Sequence, residues 1–100
     1  KDNTADFIRQ LEKHINEALP EMGKVGLRNI DNGTPIRTGD LLSENQYNIK
    51  HDELYFYNNK EYAPMVEFGT YKQHANPFMR RGIYSSFNEF TQILISKLKV

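Results

Sequence analysis

The sequence predicts an α+β fold: a long kinked N-terminal helix, an antiparallel β-hairpin or small sheet, a short helix and a long C-terminal helix. Three observations lead there. Apolar residues recur in steps of three and four from Phe7 to Ile30 and again from Ile83 to Leu98, the period of a one-sided helix. The stretches 45–50 and 54–58 alternate with a period of two, as half-buried strands do. The strand pair is also flanked by helices rather than interleaved with them, which argues against a parallel sheet. A chain of 100 residues suffices for one modest core, so residues 1–100 are expected to form a single domain.

The N-terminal helix carries Phe7, Ile8, Leu11, Ile15, Ala18, Leu19, Met22, Val25 and Ile30 on one face. Asn3 or Thr4 can cap it, and Asp6 suits the positive end of its dipole. Pro20 removes a backbone donor and crowds residue 16, a cost of about 3 kcal/mol in a straight helix. The apolar phase nevertheless continues past it, which predicts a kinked helix or two abutting helices with Pro20 opening the second. Unbroken, the element would be about 40 Å long, so a bend, or overhang onto a neighbour, is expected. Asp31-Asn32-Gly33 is expected to end it, glycine being the usual left-handed stop.

Pro35 forces an extended path, and Thr38 can cap a short turn holding Leu41 and Leu42. The hairpin follows, with His51-Asp52-Glu53 as its connection. One of its faces carries Tyr47, Ile49, Leu54 and Phe56, and the other Asn48, Lys50, Tyr55 and Tyr57. A two-stranded hairpin is not stable alone, so both long helices must cover it or another subunit must extend it. Pro64 and Gly69 bound a short helix from Ala63 to Phe68. Thr70 to Asn76 reads as a polar loop. Pro77 starts the last helix, whose apolar positions Ile83, Phe87, Phe90, Leu94 and Leu98 again step by three and four, with Lys97 and Lys99 at its negative end.

Composition narrows the function classes. Apolar residues make up 38% and charged residues 26%, ordinary for a folded soluble domain, and the longest strongly apolar run, Ile93 to Ile95, is too short for a bilayer. No secretory signal is expected at the polar N-terminus, and a start at Lys1 rather than Met leaves room for a leader or tag before it. The chain has no cysteine, which excludes disulfides, thiolate zinc sites and a cysteine nucleophile and suits a cytosolic setting. Thirteen basic residues balance thirteen acidic ones and are scattered, so phosphate gripping is not the expected task.

His14, His51 and His74 lack ligand-spaced companions, Asp52-Glu53 reads as a solvated turn, and no phosphate cradle or nucleophile elbow is present. No catalytic residue, metal or cofactor is therefore expected, and the chain is not expected to be an enzyme. Glu67 has two readings: a buried carboxylate receiving Arg37, Arg80 or backbone donors, or a side chain pointing to water. The chain has six tyrosines and six phenylalanines. Those on the second hairpin face exceed what so small a domain can cover, which favours self-association or docking to a larger ring.

Three segments, "TPIRTGDL", "EYAPMVEFGT" and "PFMRRG", resemble in order and spacing the signatures of the head-tail joining or tail-completion proteins of long-tailed bacteriophages and prophages. The resemblance falls on Pro35, Thr38, Gly39 and Leu41; on Tyr62, Ala63, Val66, Glu67, Phe68, Gly69 and Thr70; and on Pro77, Phe78, Met79 and Arg80. Arg81 and Gly82 stand where the family pattern has proline and alanine. It implies a structural protein of the virion neck, assembled in the bacterial cytoplasm, in which identical subunits form a ring where the finished tail meets the portal or its adaptor. DNA would pass through that ring without specific binding, and no membrane would be involved. The loops 31–37 and 70–76 would order on docking. Tyr55, Tyr57, Arg37, Tyr71, Lys72 and His74 are the candidate subunit contacts. A tail terminator capping the tube and a small nucleic-acid-binding regulatory domain are the alternatives.

Overall fold

The structure, a computed structural model, describes residues 3–36 and 39–98. Arg37, Thr38 and Lys99, which entered the expectations above, lie outside those residues. The element order is α1 (Thr4–Gly33), α2 (Asp40–Ser43), β1 (Asn45–Lys50), β2 (Glu53–Asn58), α3 (Ala63–Phe68), α4 (Phe78–Ser85) and α5 (Phe87–Leu98). This is the helix-rich α+β arrangement expected, with one two-stranded antiparallel sheet among the described residues.

α1 is the spine, one continuous helix with Pro20 inside it rather than two abutting pieces. The carbonyl that Pro20 leaves without a donor belongs to Asn16; both residues are exposed, so water can take the place of the missing N–H. Asn3 occupies the cap position but makes no side-chain capping bond. The molecule measures 64 × 21 × 21 Å, and α1 alone accounts for about 45 Å of that length. Lys97 near the end of α5 bonds Glu21 at 2.8 Å, so the first turns of α1 run on beyond the packed body. There Phe7 is 67% and Ile8 47% exposed.

Gly33 does not end α1 in a left-handed conformation; it remains helical, and the C-cap is Thr34, with extended backbone at φ −81°, ψ 133°. The physical cause is Pro35, which disfavours helical backbone in the residue before it. Thr34 then satisfies the helix end, its N–H donating to the carbonyl of Asp31 at 3.2 Å and its hydroxyl to that of Ile30 at 2.6 Å. In α2 the N-cap position falls to Gly39, at φ 83°.

The strands pair from Asn45↔Asn58 to Lys50↔Glu53. Glu53 is therefore a strand residue, and the connection is only His51-Asp52, both at positive φ (53° and 67°), the sign a tight two-residue hairpin demands of both its central residues. The expected faces form: Tyr47, Ile49, Leu54 and Phe56 are half-buried, whereas Asn48, Lys50, Tyr55 and Tyr57 are exposed. The element packed along the sheet is α1, with α4 and α5 packed on α1 in turn. α1 lies close on the sheet because it presents glycines there: a Cβ on Gly23 or Gly26 would lie 2.5 Å from the Tyr47 ring or 2.3 Å from that of Phe56.

The expected single C-terminal helix is two, divided at Ser86. This fully buried serine donates its hydroxyl to the carbonyl of Gly82 at 2.7 Å and its N–H to that of Ile83 at 3.1 Å. Such serine back-bonding tightens and bends a helix. The core cluster joins Ile30, Leu41, Ala63 and Phe78, with Phe56, Val66, Met79 and Ile83 packed around it. Gly82 lets α4 lie directly on α1, since a Cβ there would stand 2.6 Å from the Cα of Ile30.

Candidate functional site

The stretch from Tyr62 to Arg81 is a joint between two helices. Pro64 opens α3, and Gly69 closes it at φ 79° while donating its N–H to the carbonyl of Met65 at 2.8 Å. A side chain at Gly69 is doubly excluded: the φ is unfavourable, and a Cβ would sit 2.7 Å from the backbone nitrogen of Ala75. The chain folds back across this point, and the N–H of Asn76 bonds the carbonyl of Val66 at 2.8 Å.

α4 starts after Pro77, which makes no side-chain capping bond. The missing acceptor comes from α3. The Glu67 carboxylate, in a residue 7% exposed, accepts the N–H of Met79 at 2.9 Å, the N–H of Arg80 at 3.1 Å and the Nε–H of Arg80 at 2.7 Å. A negative group placed on the first free N–H groups of a helix is favoured by both hydrogen bonding and the dipole. Arg80 also donates to the backbone carbonyl of Glu67 at 2.9 Å and lies 4.9 Å from the centre of the Phe68 ring. One acid and one base thus serve the end of α3 and the start of α4 together.

Other motif residues have structural places. Leu41, Ala63, Val66 and Phe78 belong to the core or pack against it, and Pro35 is half-buried. Tyr62 stands at the N-cap position of α3, its backbone carbonyl accepting the N–H groups of Met65 and Val66, and Thr70 closes a small turn, its hydroxyl accepting the N–H groups of Lys72 and Gln73 at 3.1 Å each. Of the candidate contacts, Tyr71 is 93% exposed and has the Lys72 ammonium 5.4 Å from its ring centre, and His74 is exposed nearby. The 70–76 loop is thus tied at both ends, by the Thr70 hydroxyl and by Asn76, whose side chain accepts a bond from Arg81 at 2.6 Å, and its residues 71–75 are exposed. Tyr55 and Tyr57 lie on a separate element, the open hairpin face, where their hydroxyls donate to Glu53 at 2.7 Å and Gln46 at 3.0 Å. The bond to Glu53, with some burial and the acid's charge, raises the Tyr55 pKa above the usual phenol range.

Sequence reasoning missed two polar joints. Asn45 donates to Asp31 at 3.0 Å and to Thr34 at 2.8 Å, while Asn58 donates to Asn45 and to the carbonyl of Leu41, each at 2.7 Å. This network ties the end of α1 to α2 and to the open end of the hairpin. Arg28 meets both carboxylate oxygens of Glu89 at 2.7 Å, and Asn29 donates to Ser86 at 2.7 Å. The bonds from Arg28 and then Asn29 hold the Glu89 carboxyl below the ordinary range. A weak signal existed for the first joint in the two asparagines bounding the alternating runs, and none for the second.

Among the described residues no cluster of His, Cys, Asp or Glu could hold a metal ion, and no helix is long and apolar enough to cross a membrane. What the geometry offers is a small α+β body with internal clamps and apolar side chains left outside, including Phe7, Met65, Phe68 and Tyr71. The chain belongs to the HK97-gp10-like family of bacteriophage tail components, whose model matches residues 2–69. The match takes in the first two motifs up to Gly69 and stops before Pro77-Phe78-Met79-Arg80. No curated protein and no solved structure is a significant match to the chain. Membership makes the chain a phage structural protein of a typically non-enzymatic, virion-associated kind.

Proposed function

We propose that this chain is a neck subunit that joins the completed tail to the capsid portal or its adaptor, several copies closing into a ring. The observation that carries the reading is the family match over residues 2–69. The architecture supports it. A ring subunit needs a stiff centre, here supplied by the Glu67–Arg80 and Arg28–Glu89 joints, and outward groups that gain by contact. Phe7 and Ile8 on the projecting end of α1, Tyr55 and Tyr57 on the hairpin, and Tyr71, Lys72 and His74 on the loop are those groups, tyrosine being well suited to such surfaces. Equal numbers of acidic and basic residues suit a passage that DNA crosses without adhering. Assembly takes place in the host cytoplasm before the particle is complete.

Deleting the gene tests the role. A joining protein leaves tails of normal length unattached to filled heads. Tails of uncontrolled length would instead identify a terminator, and unaltered particles would remove the chain from the neck.

A further inference from the structure

The hairpin has two free edges. With Lys50 and Glu53 flanking a two-residue turn, the hydrogen-bonded pairs within the hairpin are Lys50–Glu53, Asn48–Tyr55 and Gln46–Tyr57. The backbone groups of Tyr47 and Ile49 on β1, and of Leu54 and Phe56 on β2, therefore point away from the partner strand. No backbone hydrogen bond among the described residues engages them. A sheet of two strands with both edges open is marginal and is a ready template for another strand.

We propose that the occupant is a second copy of this chain, β2 of one copy pairing antiparallel with β1 of the next so that the sheet runs on from subunit to subunit. The proposal deepens the ring reading above and rests on it. Three features support it. First, the edges are complementary: β1 ends on Lys50 and β2 begins on Glu53, both exposed. Setting Leu54 opposite Ile49 of the next copy and Phe56 opposite Tyr47 brings each Glu53 beside a neighbour's Lys50. A two-fold pairing of like edges adds no opposite charge to the Lys50–Glu53 pair that already faces across each hairpin, and it leaves one edge of every copy bare.

Second, direction is preserved, because β1 and β2 are antiparallel within the chain and rotation about a ring axis keeps every new pair antiparallel too. Head-to-tail contacts of this kind give a ring when the rotation closes, and a closed ring has no free edge. Third, the same register keeps Tyr47, Ile49, Leu54 and Phe56 on the side of α1 in every copy. With the sheet innermost, the helices occupy a larger circumference than the roughly 10 Å taken by two strands. The tyrosine face then borders the opening, with Tyr55 and Tyr57 beside Asn48 and Gln46 of the neighbour.

Because the chain lacks cysteine, the pairing can be read from single-cysteine variants. Lys50→Cys and Glu53→Cys are exposed substitutions, and the contact they would make between copies is a non-hydrogen-bonded pair, the spacing that suits a disulfide. The two full-length variants are co-expressed, oxidised mildly and compared with each variant alone on a non-reducing gel, with wild-type mass measured by light scattering. A disulfide-linked dimer at least tenfold more abundant in the mixture than in either variant alone is the expected result. Dimers from one variant alone would overturn the proposal in favour of two-fold pairing. No dimer in the mixture, while the wild type is oligomeric, would overturn it and leave the ring intact. A wild type that stays monomeric without cross-links would overturn both.

Discussion

Replacing Glu67 with alanine removes three hydrogen bonds at once and is the most direct probe of the joint. The two amides of Met79 and Arg80 lose their acceptor in a part-buried setting. Loss of a helix cap is the loss of partners for such donors, and each of the two left unsatisfied costs about 1.5 kcal/mol. The guanidinium contact adds little, because the Arg80 side chain is 46% exposed and such pairs contribute well under about 1 kcal/mol. The expected destabilisation is therefore about 3 kcal/mol, a fall in Tm of roughly 10–20 °C for a domain of this size. Glu67→Gln keeps one oxygen for the amides and should lose about half as much. Arg80→Ala should lose about 1 kcal/mol or less. Thermal and urea unfolding followed by circular dichroism give all three. A Glu67→Ala protein within about 0.5 kcal/mol of wild type, or one less affected than Arg80→Ala, would refute the capping argument.

Gly82→Ala should destabilise by about 2 kcal/mol, since its Cβ would meet the Ile30 backbone at 2.6 Å. Gly33→Ala, where the added Cβ would meet only the movable Arg81 side chain at 3.8 Å, should instead stabilise by about 0.5–1 kcal/mol in the same urea titration. Glu89 has a depressed carboxyl pKa in the folded chain, caused first by its bond from Arg28. Its contribution is therefore full above the ordinary value of 4.5 and is lost as pH falls through the lower folded value. Tm differences between wild type and Glu89→Ala should accordingly be larger at neutral pH than in strong acid. Changing Phe7 and Ile8 together to serine should leave the Tm of isolated subunits nearly unchanged, as both are exposed, while lowering the oligomer fraction by light scattering at least fivefold. Equal loss of both would place these side chains in the subunit's own core.

Element types were legible because each long run repeats at a helical or strand period, and Gly69 was legible because few other residues stop a helix where the chain must double back. The misreadings share a cause. At Gly33 the decisive residue stood two positions later, in Pro35. At Ser86 the spacing of Ile83, Phe87 and Phe90 runs on smoothly, so the break came from side-chain bonding that spacing does not record. The direction of Glu67 could not be read from its apolar neighbours. It was set by amides twelve and thirteen residues downstream. The Arg28–Glu89 joint links residues 61 apart, a separation at which local pattern carries no information.

The central claim, that this chain is a structural subunit at the head–tail junction, is tested most directly by locating it in purified particles. Antibody against the chain, gold-labelled and viewed by electron microscopy on intact phage, is expected to mark the neck between capsid and tail. Virions in which the polypeptide is absent, or label confined to the tail tip, would contradict it.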